Sequence, residues 1–73
     1  MKTVEYSKDI YDRRVVEYAS DQFGTIMRTI IKENAKMIIC SFTILNDVSE
    51  DVAIKEFENY MIDFINSEKL YND

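Results

Sequence analysis

The chain has no histidine, no proline and no tryptophan, and it carries a single glycine and a single cysteine among 73 residues. Without histidine there is no Ser-His or Cys-His nucleophile pair, no imidazole zinc ligand and no ordinary proton shuttle near neutral pH. One cysteine, Cys40, cannot close an internal disulfide, and alone it cannot build a tetrahedral zinc site. Gly24 as the only glycine excludes both the Gly-rich phosphate loop and the dinucleotide fingerprint, so neither a nucleotide nor a metal cofactor is expected. The longest apolar run, Met37 to Cys40, falls far short of the roughly 18 to 20 residues that cross a bilayer. The opening residues show no basic n-region followed by an apolar stretch and a small-residue cleavage site, so the cytoplasm is the expected compartment.

Positive charge is also scarce. Nine basic residues against fourteen acids give a net charge of -5, and only Arg13 and Arg14 are adjacent. Sequence-independent nucleic-acid affinity depends on clustered Lys and Arg displacing counterions, so no nucleic-acid partner is expected. Asp47, Glu50 and Asp51 lie close together but lack the alternating ligands and central glycine of a calcium loop. They read instead as charge complementing the N-terminal end of a helix.

What remains is 47% hydrophobic, enough for one core in one domain spanning residues 1–73. Ten Ile, five Val and four Thr against two Leu bias the chain toward strands wherever helical periodicity is missing. Thr3 to Tyr6 alternates and places Val4 and Tyr6 on one face, predicting a strand that ends at Ser7. From Asp12 the spacing changes: Val15, Val16, Ala19 and Phe23 form a helical stripe, with Asp12 as N-cap and Gly24 suited to a left-handed position just past the end. Thr25 to Ile31 and Lys36 to Leu45 are β-branched segments around the polar group Lys32-Glu33-Asn34-Ala35, which predicts a hairpin. In the second arm Ile38, Cys40, Phe42 and Ile44 form the more apolar face, which should meet the helices, leaving Cys40 an inert core thiol. Ala53, Ile54, Phe57, Tyr60, Met61, Phe64 and Ile65 mark a last helix of four or five turns, capped by Ser49, with Lys69 near its end and Leu70 and Tyr71 fraying. The aromatic residues of this stripe are assigned to packing, and Tyr6, Tyr11 and Tyr18 to core edges with wet hydroxyls.

The expected fold is therefore α+β: a two-layer β-α-β-β-α arrangement, with a three-stranded antiparallel sheet ordered 1-3-2 and both helices on one face. The other sheet face is left open, and the segment Thr25 to Ile31 forms one of its edges. The candidate partner-binding residues on that edge or face are Thr25, Met27, Thr29, Ile31, Ile39 and Thr43. A homodimer, or a protein or peptide partner, would bury them.

The order of elements and several local strings give a family resemblance. An opening strand is followed by Asp9-Ile10-Tyr11, then an alanine-containing helix from Val15 to Phe23, a hairpin, and the acidic helix Glu56-Phe57-Glu58-Asn59-Tyr60-Met61-Ile62-Asp63-Phe64. In these features the chain resembles the small HxsD proteins of the bacterial His-Xaa-Ser peptide-modification system. Asp63-Phe64 and Glu68 fit parts of the closing pattern of that family, while Ile62, Asn66 and Ser67 depart from it. The resemblance implies a non-enzymatic accessory encoded beside radical S-adenosylmethionine maturases and a repeat-bearing precursor peptide. An exposed strand edge could capture an extended segment of such a peptide by β-augmentation. The alternative is a stand-alone acidic inhibitor or antitoxin-like protein that covers a basic partner, and a third reading makes the chain itself the substrate of a maturase.

Overall fold

The computed structural model describes residues 1–71, with side chains for residues 1–67. Its elements follow the expected order: β1 (Lys2–Ser7), α1 (Arg13–Gln22), β2 (Met27–Glu33), β3 (Met37–Ile44) and α2 (Glu50–Tyr71). The three strands form one antiparallel sheet in the order β1-β3-β2, with β3 in the middle.

Local chemistry sets the helix starts. The Asp12 carboxylate accepts a hydrogen bond from Arg14 N at 2.8 Å, which satisfies one of the donors left free in the first turn of α1. Ser49 Oγ accepts from Val52 N at 3.5 Å at the start of α2, where Glu50 and Asp51 occupy the first turn. Both carboxylates also face cations: Asp51 pairs with Lys2 at 3.1 Å and Glu50 with the N-terminal amine at 3.9 Å.

The two helices share the sheet face that carries Ile38, Cys40 and Phe42, all fully buried. Val15, Val16 and Ala19 come down from α1, and Ala53, Ile54, Phe57 and Met61 from α2. Phe57 meets Phe42 edge-on at 5.1 Å between ring centroids and Phe23 at 5.7 Å, so one aromatic column ties both helices to the central strand. Such pairs add about 0.5–1.5 kcal/mol each beyond the area they bury. Tyr60 and Phe64 extend the column outward, where Tyr18 packs on both at 6.1 and 5.1 Å.

Several expectations need correction. Gly24 does not adopt the left-handed conformation: no residue has a positive φ among those described. Phe23 ends α1 at φ -97°, ψ 10°, and the chain leaves through further turns in which Ile26 N and Met27 N both donate to Phe23 O. No left-handed reversal is needed to reach the sheet. Those turns also consume Thr25 and Ile26, so β2 begins at Met27 and runs past Ile31 to Glu33. The hairpin loop is correspondingly shorter, Asn34 to Lys36, and the Asn34 side-chain oxygen accepts from both Lys36 N and Met37 N. β1 begins at Lys2, ahead of Thr3, and β3 stops at Ile44, short of Leu45. Helix α2 has 22 residues, about six turns rather than four or five, and includes Leu70 and Tyr71. The side chains of Glu68 and Lys69 lie outside the described residues.

The largest correction concerns β2. Met27 is opposite Ile44 and Thr29 opposite Phe42, so both side chains sit on the helix-covered face and not on the open one. Met27 is 0% exposed and belongs to the core.

Candidate functional site

Among the described residues three surfaces of the sheet lack a partner: the outer edges of β2 and β1 and the face away from the helices. The geometry of the β2 edge follows from the bonds that flank it. Leu45 N donates to Ile26 O at 2.8 Å and Asn34 N to Met37 O at 3.0 Å, which places residues 26 and 34 in hydrogen-bonded pairs with β3. Antiparallel pairing alternates, so Arg28, Ile30 and Lys32 also spend their backbone groups on β3. The N–H and C=O groups of Thr29 and Ile31 therefore point away from the sheet. Met27 N is already taken by Phe23 O.

Beside this edge, the outer flank of α1 stands off from β2. Arg14, Glu17, Tyr18, Asp21 and Ile31 line an open cleft of about 620 Å³. The Thr29 hydroxyl is buried on the inner face and has no hydrogen-bond partner among the described residues.

The opposite edge is less accommodating. Lys8 N donates to Lys36 O, so by the same alternation Thr3, Glu5 and Ser7 turn their backbone groups outward from β1. Ser7 O is capped by Ile10 N and Tyr11 N, which closes one end of that edge.

The open face is built from alternate residues of all three strands. Thr3, Glu5 and Ser7 come from β1, Met37, Ile39, Ser41 and Thr43 from β3, and Arg28, Ile30 and Lys32 from β2. Its centre is apolar: Ile39 and Met37 are half-buried and Ile30 is 48% exposed. Thr3 and Ser41 share a hydroxyl hydrogen bond at 3.1 Å. One acid against two bases makes this face slightly positive, although the whole chain carries -5.

The six candidates thus separate. Thr25 is exposed but lies in the turn before β2. Thr29 and Ile31 offer backbone on the edge while their side chains face inward, and Ile39 and Thr43 are on the open face as expected. Met27 contributes to neither surface except through its carbonyl. The alternation of the second arm already set Met37 on the face of Ile39, whereas sequence reasoning missed Ile30, Glu5, Arg28 and Lys32. The hairpin could have supplied Arg28, Ile30 and Lys32, because a 34↔37 closing pair fixes every β2 partner once the phase of β3 is known, whereas Glu5 comes from β1, whose register no hairpin turn sets.

Two polar clusters hold the architecture in place. The Tyr6 hydroxyl donates to Glu58 at 2.8 Å; burial first, and then this carboxylate, push the phenol far above its ordinary range, so it stays a donor. Burial and the same carboxylate raise Tyr11, whose ring meets Tyr6 at 5.2 Å. At the end of β2, Glu33 receives Lys8 at 2.6 Å and Arg13 at 2.7 Å. These hydrogen bonds hold its carboxyl below the usual range. Cys40 is fully buried, and burial pushes its thiol up to about 11, which removes the thiolate needed for reactivity.

Among the described residues no group of acids or cysteine is arranged to hold a metal ion, and no helix is long and apolar enough to cross a membrane. In comparisons with family models, curated proteins and solved structures, the chain matched none of them.

Proposed function

We propose that this chain is a non-enzymatic binding module that captures an extended protein or peptide segment as a fourth strand along β2. The observation that carries the reading is the free backbone of Thr29 and Ile31 beside the cleft under α1. An added strand would bond to those groups and place alternate side chains in the cleft, the arrangement that gives β-augmentation its affinity and its specificity. The resemblance to HxsD-like proteins supplies the context, an accessory encoded beside a radical maturase and a precursor peptide; presenting that peptide to the maturase is our extension of it. A lack of histidine and an inert thiol support a role without chemistry of its own.

The test uses a labelled synthetic peptide of His-Xaa-Ser repeats, titrated by fluorescence anisotropy. Thr29→Pro deletes one outward N–H and no ladder bond, a change that edge strands tolerate. Peptide capture should be lost in Thr29→Pro with far-UV circular dichroism unchanged, and retained in Thr29→Val. Capture that survives the proline excludes the β2 edge, and failure of the wild type to bind removes the peptide assignment.

A second reading, an acidic inhibitor of a basic partner, is favoured by the exposed carboxylates of the helix layer, Glu17, Asp21, Glu56 and Asp63. Complexes steered by such charge weaken with salt, so binding indifferent to ionic strength would count against it.

A further inference from the structure

The open sheet face carries a charge pattern that selects its own partner. Glu5, Ile39 and Lys32 lie in one cross-strand row, since Ile39 is opposite Glu5 on one side and Lys32 on the other. The acid and the base are two strand spacings apart, about 9.6 Å, with Ile39 between them. Among the described residues neither takes part in an ion pair. Between them Ile39, with Ile30 and Met37 nearby, makes an apolar centre that water covers in the isolated chain.

We infer that this face binds a second copy of the chain, open face to open face, about a two-fold axis that lies between the sheets and runs parallel to β3. That axis sets β1 of each copy over β2 of the other. Glu5 then meets the second copy's Lys32 twice by symmetry, and Ile39 packs on its symmetry mate. The competing two-fold, across the strands, would set Glu5 on Glu5 and Lys32 on Lys32, so the row disfavours it. Sheets stacked in this aligned manner keep their strands within about 30° of each other, which preserves the pairing.

The contact is small. Three strands about 4.8 Å apart, each about six residues long, give a footprint of about 300 Å² per copy, against about 800 Å² in a standard interface. A contact of this size sits with weak, transient complexes, so its dissociation constant falls where a concentration series can follow it. It leaves the β2 edge free, so it stands independently of peptide capture.

Sedimentation equilibrium of the full chain from about 1 µM to about 1 mM brackets that constant. Wild type should pass from monomer to dimer across the range, and Ile39→Arg should stay monomeric with unchanged circular dichroism. Glu5→Lys and Lys32→Glu should each weaken self-association about tenfold or more, because each places like charges together. An equimolar mixture of the two variants should associate again, since the row of one then carries a base at both ends and faces an acid at both ends of the other. A wild type that remains monomeric at the highest concentration overturns the proposal. So does a mixture that associates no better than its components, whatever Ile39→Arg does to folding.

Discussion

Replacing Thr29 by valine should stabilise the protein. The Thr29 hydroxyl is buried on the inner face of β2, opposite Phe42, and has no hydrogen-bond partner among the described residues. Burying a hydroxyl unpaired costs about 1–3 kcal/mol on mutational scales. Valine has the same branched shape and an equal liking for strands, and it puts a methyl group where the hydroxyl was. The expected gain is about 1–2 kcal/mol, a sizeable part of the roughly 4–11 kcal/mol available to a domain of this length. In urea, where a small domain has an m-value of about 1 kcal/mol/M, the midpoint should rise by about 1–2 M with m unchanged. Thr29→Ser serves as the control: it keeps the unpaired hydroxyl, loses the buried methyl and should cost about 1 kcal/mol. If Thr29→Val is no more stable than wild type, the hydroxyl finds a partner in solution and the reasoning fails.

Three further outcomes follow from the geometry. Gly24→Ala should change stability by no more than about 0.5 kcal/mol, because the entropic gain of about 0.4–1 kcal/mol is set against a tight 3.3 Å approach of the new Cβ to Asp21 O; a loss above about 1.5 kcal/mol in urea would point to the left-handed geometry instead. Glu33→Gln should remove part of the acid limb of stability. The folded Glu33 carboxyl titrates below its ordinary 4.5, so its contribution is present above that pH and lost as pH falls through the depressed value. Thermal melts from neutral pH down to about pH 3 should show wild type and variant converging at the acid end. Cys40 should resist a disulfide reagent such as DTNB in the folded protein and react at once in urea. Because its thiol is raised from 9.0 to about 11, stability should fall across that interval as the unfolded chain ionises first. Rapid labelling of the native state would contradict its burial.

The element order was legible because each segment announced itself by a local signal. Asp12 before Val15-Val16 and Ser49 before the Ala53 stripe are capping signals that need no tertiary context, and both hold. The phase of β3 was legible too, since Ile38, Cys40, Phe42 and Ile44 contrast with Ser41 and Thr43. The phase of β2 was not, because Ile30 and Ile31 are adjacent and put an isoleucine on each face. Alternation then carries no sign, and only the pairing with β3 decides that Met27 and Thr29 turn inward. For this reason the strand itself predicts the edge, while the side chains of Met27 and Thr29 are expected on the open face and lie on the inner one. Gly24 misled by its identity: a glycine after a helix usually marks a left-handed cap, yet here the chain keeps turning the same way. The Glu5–Ile39–Lys32 row joins residues from three separate segments, so no local pattern could reveal it.

The position of β1 in the sheet also has a consequence for synthesis. Its partners lie 30 residues away for Ser7 and Met37 and 40 residues away for Lys2 and Phe42. At about 5–20 residues per second a ribosome needs roughly 2–8 s to make that stretch. During this interval the first strand has nothing to pair with. The β2–β3 hairpin, closed by a short loop, can form as soon as it emerges and then offers the flank of β3 to whichever β1 arrives first. On crowded polysomes that strand can come from a neighbouring nascent chain, so exchange of β1 between copies is the misassembly this topology must outrun.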